Sequence, residues 1–139
     1  ELVRTLLDDG TLALAQLHGQ EDESYIRELK TYTDKLIIKA FSIKTAEDIE
    51  KALQSSADYI LLDQGGGGTG KTFDWSLIPE IQRPFFLAGG IGTSNLGQAI
   101  REIHPYAVDL SSSVETEKRK DPMKIRQVVD IVREIKIIN

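Results

Sequence analysis

The sequence predicts an α/β fold of five parallel βα units forming one domain over residues 1–139. Three observations predict it. Strand-like and helix-like hydrophobic periods alternate along the whole chain. The predicted strands end at Leu17, Ala40, Asp63, Ala88 and Leu110, a spacing of roughly 22–25 residues, or one βα unit each. Runs such as Leu36-Ile-Ile38 are apolar at successive positions, as in parallel strands covered on both faces. Two architectures satisfy this pattern. One is an open doubly wound sheet, and the other is most of an eightfold barrel whose first three units are absent.

Each element has its own signal. Leu2, Val3, Leu6 and Leu7 fall at helix spacing from the first residue, with no cap before them and with Met123 as the single methionine. The chain therefore reads as one entered partway through its fold. Ala13–Leu17 reads as the first strand. Tyr25, Ile26, Leu29 and Tyr32 then form a helix stripe, with Glu21, Asp22 and Glu23 near its start, where the helix dipole favours acids. Leu36–Ala40 is the second strand. Thr45 and Asp48 have the spacing of a capping box before Ile49, Ala52 and Leu53.

Tyr59–Asp63 is the third strand, and residues 75–81 suit a short helix. Phe85–Ala88 is the fourth strand. Leu96, Ala99, Ile100 and Ile103 form a helix with Ser94 or Asn95 as its cap. Ala107–Leu110 is the fifth strand. Asp121-Pro122 opens the last helix, with Asp at the cap and Pro at the first helical position. Met123, Val128, Val129, Val132 and Ile135 are expected on its core side.

The composition narrows the function classes. The 139 residues are 40% hydrophobic and 28% charged, within the range of a globular domain. A net charge of −5 argues against nucleic acid as a partner, because duplex binders carry a basic face. There are no cysteines, hence no disulfide framework and no thiolate metal ligands. No apolar run approaches the ~18 residues of a spanning helix, and no signal-peptide pattern opens the chain. A cytoplasmic protein without membrane contact is the expectation.

The chemistry concentrates at predicted strand ends, where βα enzymes place their sites. Asp63 ends the third strand and is followed at once by Gly65, Gly66, Gly67, Gly68 and Gly70. An acid there either caps a loop or faces a ligand, and the adjoining glycines favour the ligand. A carboxyl working as a general acid near neutral pH must be held protonated by burial. The segment Gly65 to Thr72 matches the spacing G-x-x-x-x-G-K-T. However, Pro79 follows too soon for the long helix that a true phosphate loop opens. A mobile loop over a bound ligand fits better. Gly89-Gly90 and Ser111-Ser112-Ser113 follow the next two strands. They read either as a tight turn and a helix cap, or as backbone and hydroxyl donors converging on an anion. His18, Lys39 and His104 are chemically capable residues without a partner at metal spacing.

Taken together, these segments resemble the phosphoribosylanthranilate isomerase family. The resemblance lies in Gln16-Leu-His-Gly19, Ile38-Lys-Ala40, Leu61-Leu-Asp63, Gly67 to Trp75, Leu87-Ala-Gly-Gly-Ile91 with Asn95, and Val108-Asp-Leu-Ser-Ser112 through Val114-Glu115 to Lys120-Asp121. It covers nearly the whole chain in the family's order. It implies the fourth to eighth units of a (β/α)8 barrel and an internal redox (Amadori) rearrangement of the phosphoribosyl group on anthranilate, in tryptophan biosynthesis. It implies no metal and no organic cofactor.

By carry-over, Asp63 matches the general acid that opens the ribose ring. Gly89, Gly90, Ser111 and Ser112 match the phosphate loops, and Gly65–Gly70 the mobile loop. The family's general base is a cysteine at the end of the first barrel strand, and its anthranilate-binding arginine also lies in that earlier part. Neither has a counterpart here. Ser113 stands where the family has glycine, and Glu117-Lys-Arg119 replaces a Pro-Gly turn. These residues alone are therefore expected to be inactive and to self-associate through exposed strand edges. The alternatives are a non-catalytic half-barrel that binds a phosphorylated small molecule, or another phosphate-binding barrel enzyme.

Overall fold

All five predicted strands form, and their order decides between the two architectures. The computed structural model describes residues 1–64 and 74–138. The elements are α1 (Leu2–Asp8), β1 (Leu14–Leu17), α2 (Glu23–Tyr32), β2 (Leu36–Ser42), α3 (Ala46–Leu53) and β3 (Tyr59–Asp63). They continue with a 3₁₀ turn (Trp75–Leu77), β4 (Phe85–Leu87), α4 (Leu96–Ile103), β5 (Ala107–Val108), a 3₁₀ turn (Ser112–Val114), β6 (Glu115–Thr116), β7 (Arg119–Lys120) and α5 (Pro122–Ile138). The main sheet is parallel in the order β1-β2-β3-β4-β5.

Sequential order with right-handed crossovers sends every connecting helix to the same face. The packing agrees. Ala15, Leu17 and Ile37 pack with Leu7, Ile26 and Leu29 of α1 and α2. On the same side, Ile60, Leu62, Phe85 and Leu87 pack with Ile49, Ala52, Leu96, Ala99 and Val128 of α3 to α5. A doubly wound sheet needs helices on both faces, so that architecture is excluded.

The alternate strand residues form the other face. Ile38, Ala40, Leu61 and Ala88 cluster there, flanked by Tyr59 and Phe86. Tyr59 stacks edge-on against Phe86 at 5.6 Å and packs against Tyr106 at 5.5 Å. Towards β1 this face is open, with Leu36 at 45% and Leu14 at 40% exposure, and Tyr106 is 63% exposed. Ile37 and Ile38, on opposite faces, are both buried, whereas Leu36 is exposed. The apolar run is present, but among the described residues helices cover one side only.

Local signals set most of the boundaries. The capping box at Thr45 and Asp48 forms reciprocally. The Asp22 carboxylate accepts from the Tyr25 amide and starts α2. Asp121 accepts from the amide of Met123 at 2.9 Å and so caps α5. Within α5, Val128 and Ile135 are buried, whereas Met123 and Val129 face solvent, contrary to expectation. Position 129 lies about 100° around the helix from 128, which puts it at the edge of the buried stripe.

The expected helix over residues 75–81 is a single 3₁₀ turn, Trp75–Leu77, because Pro79 removes a donor and disfavours a helical residue before it. The β6–β7 hairpin was not foreseen. Its two-residue loop puts Glu117 and Lys118 at φ 52° and 62°, the signature of a type I′ turn that usually takes Asn-Gly.

The N-terminal ends of the strands are stapled by charge. Asp58 accepts from the Ile37 amide at 2.8 Å and from Lys30 Nζ at 2.6 Å. The Arg83 guanidinium donates to the carbonyls of Leu53, Ser55 and Ala57. These contacts leave the opposite strand ends free for the site. No described helix is long and apolar enough to cross a membrane.

Candidate active site

The strands are parallel, so their C-terminal ends converge, and the sequence places its acid, glycines and serines there. Asp63, Gly89, Gly90, Ser111 and Ser112 line one open cleft of about 760 Å³. His18, Asp109, Ser113 and Glu115 line it as well. The glycines Gly65, Gly66, Gly67, Gly68 and Gly70, expected to form the mobile loop, lie outside the described residues.

Asp63 is placed by the sheet. Its carbonyl accepts from the Ile43 amide at 2.7 Å, which prolongs the pairing of β2 with β3 to the strand end. Its side chain is 15% exposed. Gly89 lies directly beside it at φ 80°. A Cβ there would fall 2.5 Å from Asp63 Oδ1 and 2.6 Å from the Gln64 amide nitrogen. Only glycine combines that backbone with that approach. We therefore expect Gly89→Ala to cost at least about 1–2 kcal/mol from the left-handed backbone alone. It should also displace the Asp63 carboxylate. Thermal unfolding checks the first effect and turnover of the full-length protein the second.

Gly90, at φ 70°, completes the turn after β4. Asn95 occupies the predicted cap position of α4 but makes no cap hydrogen bond. Its side chain instead accepts from the Gly92 amide at 2.8 Å and donates to the Gly90 carbonyl at 3.0 Å. This holds the glycine turn in one shape. Gly92 in turn makes room for Ser113, whose Cβ would lie 3.0 Å from a Cβ added at position 92. The Ser113 hydroxyl is buried there without a hydrogen-bond partner.

The second loop departs from the strand early. β5 ends at Val108, and a single further ladder bond, from the Asp109 amide to the Leu87 carbonyl, precedes the turn. Ser111 leads into the 3₁₀ turn, yet its hydroxyl makes no cap hydrogen bond. The cap reading of this serine is therefore not realised. Its Oγ accepts from Lys120 Nζ at 3.2 Å instead.

The three remaining candidates separate. His18 reaches the cleft, with Nε2 3.8 Å from Asp63 Oδ2, longer than a hydrogen bond but within reach of charge interaction. His104 does not reach it; it ends α4 in the left-handed conformation at φ 51°. Lys39 points to the helix side of β2, with its side chain 6% exposed. Its Nζ donates to the Gly19 carbonyl and to Glu21 Oε2, both at 2.9 Å. Glu21 also accepts from the Gly19 amide, so this pair pins the residue next to His18. Among the described residues, no three of His, Cys, Asp or Glu converge as metal ligands.

The hydrogen bond from Lys39 holds the Glu21 carboxyl below its ordinary 4.5, against the opposing effect of burial. A depressed folded-state value means the pair's stability is present above the ordinary value and lost as pH falls through the folded one. Glu21→Gln is expected to cost about 2 kcal/mol at neutral pH, since it leaves a buried ammonium without its counter-charge. The gap should close as pH drops below 4.5. Denaturant unfolding at several pH values checks it.

Sequence reasoning took Asn95 only as a helix cap and part of the resemblance, and gave Lys120 no role in the site. Both act through loop contacts that adjacent sequence does not reveal.

Comparison with known proteins matches this arrangement. The family model described as N-(5'phosphoribosyl)anthranilate (PRA) isomerase matches residues 1–131. An N-(5'-phosphoribosyl)anthranilate isomerase of Endomicrobium trichonymphae is 45% identical over 134 residues, covering 94% of this chain and 66% of the relative. The crystal structure of the Thermotoga maritima phosphoribosyl anthranilate isomerase superposes with a TM-score of 0.78 at 35% identity, covering 96% of this chain and 69% of that one. A phosphoribosyl anthranilate isomerase in complex with reduced 1-(o-carboxyphenylamino)-1-deoxyribulose 5-phosphate gives 0.75 at 33% identity, covering 96% and 68%. The chain spans about two thirds of the length of the relatives it matches. With the family model matching residues 1–131 of this chain and the fold shared, the chain belongs to the N-(5'-phosphoribosyl)anthranilate isomerase family.

Proposed function

We propose that this chain supplies the general acid and the phosphate site of an N-(5'-phosphoribosyl)anthranilate isomerase, and that its five βα units correspond to the fourth to eighth of an eightfold barrel. The observation that carries the reading is the cleft at the strand ends that Asp63 shares with Gly89, Gly90, Ser111 and Ser112. The glycine turn and the serine loop offer amides and hydroxyls to the substrate's 5'-phosphate. Anchored there, the ribose extends towards Asp63.

Asp63 donates a proton to the ring oxygen, and the C1–O bond breaks to give an open-chain iminium. A base then removes the C2 proton, and the resulting enolamine tautomerises to the ketose. C1 is reduced as C2 is oxidised, so the electrons balance within the substrate. The sheet order, with every helix on one side, supports the barrel assignment.

The test is an assay of the full-length protein with phosphoribosylanthranilate, followed by the loss of anthranilate fluorescence. Turnover is expected. Binding of phosphorylated ligand without turnover would instead favour a phosphate-binding module.

A further inference from the structure

We infer that Lys120 is a positioning residue for the anion loop, acting through Ser111; this rests on the phosphate-site reading proposed above. Three observations carry it. First, the cleft has an adverse charge for a phosphate. Beside Asp63, which the proposed step uses as a proton donor, the carboxylates of Asp109 and Glu115 line it, and no lysine or arginine is among its described lining residues. Bringing an anion beside uncompensated carboxylates is costly.

Second, Lys120 compensates one of these, Glu115. Its Nζ lies 2.7 Å from Glu115 Oε1. The hairpin fixes this geometry, because Glu115 on β6 and Lys120 on β7 are register partners. Both ends of the hairpin are tied to the site: the Asp121 amide donates to the Val114 carbonyl at 2.8 Å, and Lys124 Nζ donates to the Glu115 carbonyl.

Third, the same ammonium donates to the Ser111 carbonyl at 3.0 Å and to its Oγ at 3.2 Å. A hydroxyl has one proton and two lone pairs. With a lone pair engaged by Lys120, and with no cap bond made by this side chain, the Ser111 proton is available to an acceptor in the cleft. A hydroxyl polarised by an ammonium is also a stronger donor. Lys120 thus orients Ser111 to donate and offsets the charge of Glu115, without being among the described residues that line the cleft.

The experiment is calorimetric titration of the full-length protein with reduced 1-(o-carboxyphenylamino)-1-deoxyribulose 5-phosphate and with its dephosphorylated counterpart. The proteins compared are the unsubstituted one, Ser111→Ala, Lys120→Met, their double variant and Lys120→Arg. Lys120→Met is expected to weaken the phosphorylated probe about tenfold and leave the dephosphorylated one within about twofold. The double variant should be weaker than Ser111→Ala by clearly less than the tenfold loss of Lys120→Met, since part of the lysine's effect passes through that serine and part through Glu115. Lys120→Arg should recover most of the affinity.

Fully additive losses, unchanged binding by Lys120→Met while Ser111→Ala is weakened, or equal weakening of both probes by Lys120→Met would each overturn the assignment. If Ser111→Ala left the phosphorylated probe unaffected, or the unsubstituted protein bound neither probe, the phosphate-site reading itself would fall with it.

Discussion

Under the proposed function, Asp63→Asn is expected to lower isomerase turnover by about 10²–10⁴-fold, the usual contribution of a general acid–base group. The substitution keeps the shape of the side chain, so the close fit against Gly89 survives. It removes the proton that the ribose ring oxygen must receive before the C1–O bond can break. Affinity for a phosphorylated ligand should stay nearly unchanged, because the phosphate is assigned to the two loops and not to the carboxylate. The decisive measurement is kcat beside the dissociation constant of the reduced product analogue. A loss confined to kcat fits proton transfer. Near-normal turnover would remove Asp63 from the mechanism. Neighbouring His18 would then be tested as the proton donor, since its ring nitrogen lies 3.8 Å from the same carboxylate.

Residues 1–139 produced by themselves are expected to show a second loss of similar size, about 10²–10⁴-fold, even with Asp63 intact. They contain no cysteine, and the family resemblance assigns the C2 proton to one. The two losses are separable. Asp63→Asn interrupts ring opening, whereas the missing base stalls the step after it. Normal anthranilate-fluorescence decay with a mass-verified 139-residue protein would sink this expectation, and would require a base among the described cleft residues. The same protein is expected to self-associate in sedimentation, because Leu14 and Leu36 are exposed on the open face beside the unpaired edge of β1. A monomer with sharp unfolding would contradict that.

The sequence by itself determined the five βα units, because their signals are local. The hydrophobic period of each strand, the Thr45–Asp48 capping box and the Asp121-Pro122 helix start all involve residues within a few positions of one another. It also determined the chemistry carried at the strand ends, since an acid, a glycine pair and a serine run each follow an apolar strand.

Tertiary structure alone decided the rest. Both architectures shared one hydrophobic pattern, and only the strand order put every helix on one face. Burial around α5 chose Val128 and Ile135 over Met123 and Val129 by fractions of a turn that composition does not express. In the site, the requirement for glycine at position 89 comes from an aspartate 26 residues away. The use of Lys120 comes from a hairpin whose turn residues carry no ordinary turn signal. Short-range propensity is written along the chain. Which groups meet across loops depends on the sheet that brings the strand ends together.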